Sequence, residues 1–412
     1  MTVVAAFLEF LFERIDCSPF LGFFLSLMCL YKFRRRVFLF CIYFFIFSFY
    51  FDFSLTLISG VPLFWGYQKD LIPLTFFLIN FFLSLSLLLY SPLSSMKFRE
   101  LEEFYSPLAC WMLLFLGFVG LFFLKGENIF SSVASYSAYQ KNLANASGLN
   151  EYLIMLAILL LFFKKNFLLR VTFVFFIGLY IVKSIGFGFR VQSLMMLLVL
   201  FVAIARGDLK PLYTVSLASL GFVLMLLVGF LKEGESIENF GLHMLIDDRN
   251  GYAQSHQHGV LSASSVILKH YDKELVVRTA FGVGGAVVAS IIPRRFVNDA
   301  APWAYPSTFA QSFQYTPGGG FFVVQIVFLL GPFLGCLFLF GILWVLNCVA
   351  RDDFVRLSVY GRAFGVVLFI FFPRWISYDF FNYAMRTGFL LLVTISLYLF
   401  LRSVCDAGKA RR

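Results

Sequence analysis

The chain has 412 residues, 60% of them hydrophobic and 20% aromatic against 14% charged, with a mean hydropathy of +0.86. A soluble globule keeps its apolar share nearer half, so this length does not imply two or three water-soluble domains. The net charge of +10 does not point to nucleic acid either, because the basic residues cluster between apolar runs, where the positive-inside rule places them.

Taken in chain order, the apolar runs predict spanning segments over 18–31, 37–53, 71–90, 107–124, 151–163, 167–186, 191–205, 212–231, 320–347, 359–373 and 380–401. Each is expected to be helical, since hydrocarbon offers no water to satisfy a backbone N–H or C=O. An additional apolar stretch at Val3–Phe12 would move the N-terminus from outside to inside. The acids Glu9, Glu13 and Asp16 stand where a cleaved targeting segment would carry positive charge, so none is expected. The expected fold is an all-α polytopic membrane protein with about 11–12 transmembrane helices and one large loop containing short helices. Its parts are an N-terminal bundle over 1–231, the loop over 232–317 and C-terminal helices over 318–412.

Basic residues mark alternate connections: Lys32-Arg34-Arg35-Arg36, Lys97-Arg99, Lys164-Lys165-Arg170, Arg206-Lys210, Arg351-Arg356-Arg362 and the tail with Arg402, Lys409, Arg411 and Arg412. They hold more than half of the 33 Lys and Arg, so that side, with the C-terminus, is expected to be cytoplasmic and the long loop external. A second outward segment, Lys125 to Asn150, is rich in Ser, Asn and Tyr. It reads equally as a hydrated loop or as a rim contacting sugar hydroxyls. The chain shows no internal repeat of the kind that marks many transporters.

The loop gathers the ionisable side chains. It holds all four histidines (His243, His256, His258, His270), Asp247-Asp248-Arg249, Arg278, Arg294-Arg295 and Tyr305. Within it Val260–Lys269 reads as an amphipathic turn or two, and Val283–Ile292 is apolar but too short to span. Both suit helices lying in the interface plane or dipping into the bundle. Gly282-Val283-Gly284-Gly285 and Gly318-Gly319-Gly320 lack the strand–loop–helix context of phosphate loops and read as flexible joints. His256 and His258 stand two apart, which does not put them on one helix face, and the seven cysteines are scattered singly; no metal site and no cofactor are expected.

A cation inside a span is by default a functional candidate. Arg190, ending the run Ile185-Gly186-Phe187-Gly188-Phe189, is one; Arg374 and Arg386 are others, while Lys183 reads as snorkelling to headgroups. Several outward guanidinium groups would suit an anionic lipid diphosphate, because their rigid fork matches phosphate oxygens.

With these residues set out, the chain resembles the bacterial O-antigen (oligosaccharide repeat-unit) polymerase family, Wzy-type. The similarity rests on the Gly-Phe-Arg junction at Arg190, on Arg249 near the start of the large loop, and on Ile292-Pro293-Arg294 with Asp299 and Pro302. The family's lysine before that proline is Ala301 here; the glycine-rich run through Gly331 and Gly335 also fits. The resemblance implies a GT-C-like glycosyltransferase of the bacterial inner membrane, its large loop periplasmic. It would pass an undecaprenyl-diphosphate-linked glycan chain en bloc onto a lipid-linked repeat unit, with a chain-length regulator as partner. Arg190, Arg249 and Arg294, with Arg386 next, would clamp the departing diphosphate. Arg295, Arg278, Arg374 and Tyr305 would bind substrate, and His256, His258, His270 and Asp248 remain open as the general base. Direct displacement would invert the anomeric centre. An O-antigen ligase and a lipid-linked oligosaccharide flippase or transporter are the alternatives.

Overall fold

The computed structural model describes residues 18–34, 36–63, 68–88, 106–123, 150–186, 189–204, 255–269, 319–349 and 359–378, with single positions within 215–223 and 380–403. Among these residues the chain is helical, with no strand. The helices are α1 Ser18–Phe33, α2 Val37–Ser59, α3 Ile72–Leu88, α4 Pro107–Phe123 and α5 Asn150–Leu161. They continue with α6 Phe167–Gly186, α7 Arg190–Ile204, α8 His256–Lys269, α9 Phe322–Val349, α10 Val359–Ile370 and α11 Phe372–Ser377. Four are long and apolar enough to cross a membrane: α2, α3 with its leading 3-10 turn Lys69–Leu71, α6 and α9. The expected spans over 212–231 and 380–401 fall mostly outside the described residues, as does the loop apart from 255–269.

The chain packs as two compact units. Unit 1 comprises Met1–Leu93, Leu242–Ala350 and Arg374–Arg386; unit 2 comprises Ser94–Gly241, Arg351–Pro373 and Thr387–Arg412.

In unit 1, α2 packs on α1, α1 on α3, and α3 on α9. Lys32, in the last turn of α1, donates to the carbonyls of Ser86 (3.2 Å) and Leu87 (2.6 Å) at the end of α3. Those carbonyls belong to the final turn, which has no intrahelical donor left. Arg36, at the start of α2, donates to Asn347 Oδ1 near the end of α9 at 3.4 Å. One end of unit 1 therefore collects the C-termini of α1, α3 and α9 with the N-terminus of α2.

A single expected span, 320–347, turns out to be two helices folded against each other. Gly331 has φ 77° and ψ 171°, a region open essentially to glycine alone, and Pro332 follows it. A Cβ on Gly335 would stand 3.0 Å from Val327 Cα. Residues eight apart in a continuous helix are ~12 Å apart, so the chain reverses at Gly331. The stretch before it, about 13 Å long, begins with Phe321 against Phe49 of α2 and Phe322 against Phe82 of α3, at ring distances of 5.3 and 5.0 Å. The stretch from Pro332 to Val349 runs roughly 27 Å back toward Arg36.

Gln325, fully buried, serves backbone beside the start of the stretch before Gly331: its Nε2 donates to the carbonyls of Gly320 (2.7 Å) and Tyr378, and its Oε1 accepts from the N–H of Phe380 at 2.7 Å. Gly319 is no flexible joint: a Cβ there would lie 2.7 Å from the Cα of Tyr378, so the residue is small because two backbones nearly touch.

In unit 2, α6 packs on α4 and α7, and α10 on α7. Lys183, in the last turn of α6, is 2% exposed and donates to the Leu121 carbonyl of α4 at 2.7 Å. It does not snorkel; burying the ammonium on a helix-end carbonyl satisfies both groups. Tyr180 donates to Asn150 Oδ1 at 3.2 Å, which brings the start of α5 to the ends of α4 and α6.

Candidate functional site in unit 1

α8 is the one part of the 232–317 segment that the structure describes, and it lies inside unit 1. Its 14 residues make a helix of about 21 Å, longer than the expected turn or two and too short to cross ~30 Å of hydrocarbon. Residues 257–268 are all buried, so the helix dips into the bundle instead of lying on a surface. It packs on α2, α3, α9 and the Lys69–Leu71 turn. Its serines serve irregular backbone around it: Ser264 Oγ accepts from the N–H of Phe321 at 2.8 Å, and Ser265 Oγ from that of Gln68 at 3.2 Å.

Ser255 caps this helix. Its Oγ accepts from the His258 N–H at 3.0 Å and donates to Asp52 Oδ2 on α2. The imidazole of His258 faces the same helix. Thr56 Oγ1, which donates to the Asp52 carbonyl at 2.9 Å, lies within hydrogen-bond distance of His258 Nε2 at 2.8 Å. Nε2 also lies 3.5 Å from Asp52 Oδ2, while the Phe53 ring stacks on the imidazole at 5.6 Å. One turn along α2, Ser48 Oγ accepts from Gln257 Nε2 at 3.4 Å. Ser48, Asp52 and Thr56 are spaced by four and form one polar stripe along an otherwise apolar helix.

Asp52 is almost fully buried within a spanning helix, where a carboxylate costs about 2.5–3.5 kcal/mol on insertion scales. His258 is 2% exposed; burial pushes its imidazole down, to about 4, outweighing the opposing pull of a hydrogen bond with the Asp52 backbone. The ring is thus neutral at pH 7. The cluster sits ~24 Å along α2 from Arg36, toward the other end of unit 1.

Of the residues that the sequence singles out, the structure brings His258 into this cluster and starts α8 at His256. Arg190 opens α7 in unit 2. Arg374 is buried in unit 1, its guanidinium 5.8 Å from the Tyr378 ring. Asp248, Arg249, His270, Arg278, Arg294, Arg295, Tyr305 and Arg386 lie outside the described residues. Sequence reasoning missed Asp52, Thr56 and Gln325. The signal for Asp52 was available: it is the one carboxylate of its apolar run, flanked at four-residue spacing by Ser48 and Thr56.

Fold and site together define the class: an all-helical chain of transmembrane character in which part of a long hydrophilic segment returns into one unit as a buried helix. No protein-family model, curated protein or solved structure matches it.

Proposed function

We propose that the chain is a membrane glycosyltransferase of the O-antigen polymerase type. It transfers a glycan from a polyprenyl diphosphate onto a second lipid-linked repeat unit on the external face of a bacterial inner membrane. The observation that carries this reading is the seating of α8. The segment in which the sequence concentrates arginines and histidines enters unit 1 by this helix and is held on a spanning helix through Ser255, His258 and Asp52. Such anchoring would hold Arg249 and Arg294, on either side of α8 in sequence, near the frame. A preorganised guanidinium cluster is what a departing lipid diphosphate requires. His258, turned toward Thr56 and Asp52, serves in this scheme as a positioning residue, which leaves His256, His270 and Asp248 as candidates for the base that takes the acceptor's proton.

Arg190→Ala or Arg249→Ala, expressed at wild-type levels in a strain lacking the native gene, should abolish surface polymer while single repeat units still accumulate on the lipid carrier. Full-length ladders from the double variant would defeat the proposal.

The reversal of α9 at Gly331 and the dipping helix α8 favour a second reading, a transporter of lipid-linked sugar, since broken helices line many midplane transport sites. Glycan extension by purified protein in detergent, with no membrane to cross, would decide for the transferase.

A further inference from the structure

We propose that the C-terminal end of α1 binds an anionic phospholipid, its phosphate held by Arg34 and an acyl chain lying along the helix. The two sides of α1 differ. Gly22, Ser26, Cys29 and Phe33 are buried, and Cys29 Sγ reaches the Leu83 carbonyl of α3 at 3.7 Å. Phe20, Phe24, Leu27 and Tyr31, at helical spacing on the opposite side, are exposed and form an apolar stripe.

That stripe ends in positive charge. Four of the five residues Lys32–Arg36 are basic, and no Asp or Glu lies between Asp16 and Asp52. Two of the four turn into unit 1, Lys32 onto the carbonyls that end α3 and Arg36 toward Asn347. Arg34 folds back over the exposed side instead. Its guanidinium lies 3.9 Å from the centroid of the Tyr31 ring, which is 70% exposed, and Nη1 donates to the Tyr31 carbonyl at 2.8 Å.

A cation fixed at the head of an apolar stripe selects a ligand with both characters. A free phosphate ion would meet the guanidinium alone, whereas a phospholipid meets guanidinium, aromatic ring and stripe together. The guanidinium fork matches phosphate oxygens and stays charged when partly desolvated. A tyrosine ring suits the headgroup level. A dense basic run at the end of an apolar helix favours a net negative headgroup over a zwitterionic one, whose own ammonium it repels. The rival occupant is an acid of this chain, since Glu100, Glu102 and Glu103 follow α3 in sequence. The site is independent of the transfer reaction.

Native mass spectrometry of the delipidated full-length protein tests this, with phosphatidylglycerol, phosphatidylethanolamine of the same acyl chains or inorganic phosphate added. Phosphatidylglycerol should bind at the lowest concentration. Arg34→Gln should weaken it about fivefold and leave phosphatidylethanolamine unchanged, which also shows that the variant is folded. Arg34→Lys should keep part of the preference, because the charge stays and the fork goes. Arg170→Gln removes the same charge near the start of α6 and should have no such effect. Equal weakening by Arg34→Gln and Arg170→Gln would overturn the proposal. So would equal binding of the two lipids, or inorganic phosphate displacing phosphatidylglycerol at matched concentration. A gain in phosphatidylglycerol binding on Glu100→Gln, Glu102→Gln and Glu103→Gln together, lost again with Arg34→Gln, would assign the guanidinium to those acids and overturn it as well.

Discussion

In each unit a lysine from the last turn of one helix reaches the carbonyls that end a neighbour: Lys32 on Ser86 and Leu87 in unit 1, Lys183 on Leu121 in unit 2. Past that shared device the two diverge. The described part of unit 2 is built of unbroken helices whose buried polar contacts lie near helix ends. Unit 1 admits a helix too short to span, a second that doubles back, and a carboxylate inside a spanning segment. Side chains there serve backbone outside the helices, Ser264 at Phe321, Ser265 at Gln68 and Gln325 at Gly320, Tyr378 and Phe380, while Ser255 donates to Asp52. The lesson is that departures from straight helices are concentrated where the hydrophilic segment enters.

Added bulk should be costly where irregular backbone is closely packed in unit 1 and harmless on an open helix face in unit 2. Gly319→Ala places a methyl 2.7 Å from the Tyr378 backbone, which cannot swing aside; a loss of about 3 kcal/mol is expected in denaturant unfolding. Acidification comes next. The folded His258 titrates below its unfolded value of 6.5, so its contribution is complete above pH 6.5 and is lost as pH falls toward 4. The cost approaches roughly 2–3 kcal/mol at pH 4. Thermal midpoints of the wild type should fall across that window more than those of His258→Gln; equal slopes would remove His258 as the cause. Asp52→Ala takes the acceptor from Ser255 and His258, at about 2 kcal/mol, and should raise hydrogen exchange in α8 while α6 is unchanged.

Smaller effects sharpen the shared device. Lys32→Met strands two helix-end carbonyls and Lys183→Met one, so about 1–2 kcal/mol is expected for the first and less for the second. A larger loss in Lys183→Met would reverse the ranking. Smallest of all, Gly178→Ala in α6 meets nothing within 4 Å and should stabilise by at most ~1 kcal/mol through helix propensity alone. Opposite signs for Gly319→Ala and Gly178→Ala would be the clearest support for the contrast.

Much of the frame was legible in the residues. Apolar runs predict α1, α3, α4, α6 and α7 to within about two residues, because length and hydropathy alone decide such helices. For Val260–Lys269 the residues left two placements open, the interface plane or the bundle, since its serines look solvent-facing until the neighbouring backbone that they satisfy is known. The reversal at Gly331 was not legible: a glycine followed by proline in an apolar run permits a kink, but only the approach of Gly335 to Val327 makes it a fold-back. Lys183 misled because a lone cation near a span end has two outlets, headgroup or helix terminus, and sequence alone does not distinguish them. Asp52 carries the same signal as a cation within a span, since an acid there is equally costly.

The fold-back at Gly331 bears on any attempt to chart sidedness by inserting reporters. A hydropathy profile draws 320–347 as one traverse and puts Gly331 halfway through it. With the chain doubled over, that glycine is instead a turning point, with only the 18 residues after it running back toward Arg36. A short tag placed there should report on a turn and not on the middle of a traverse.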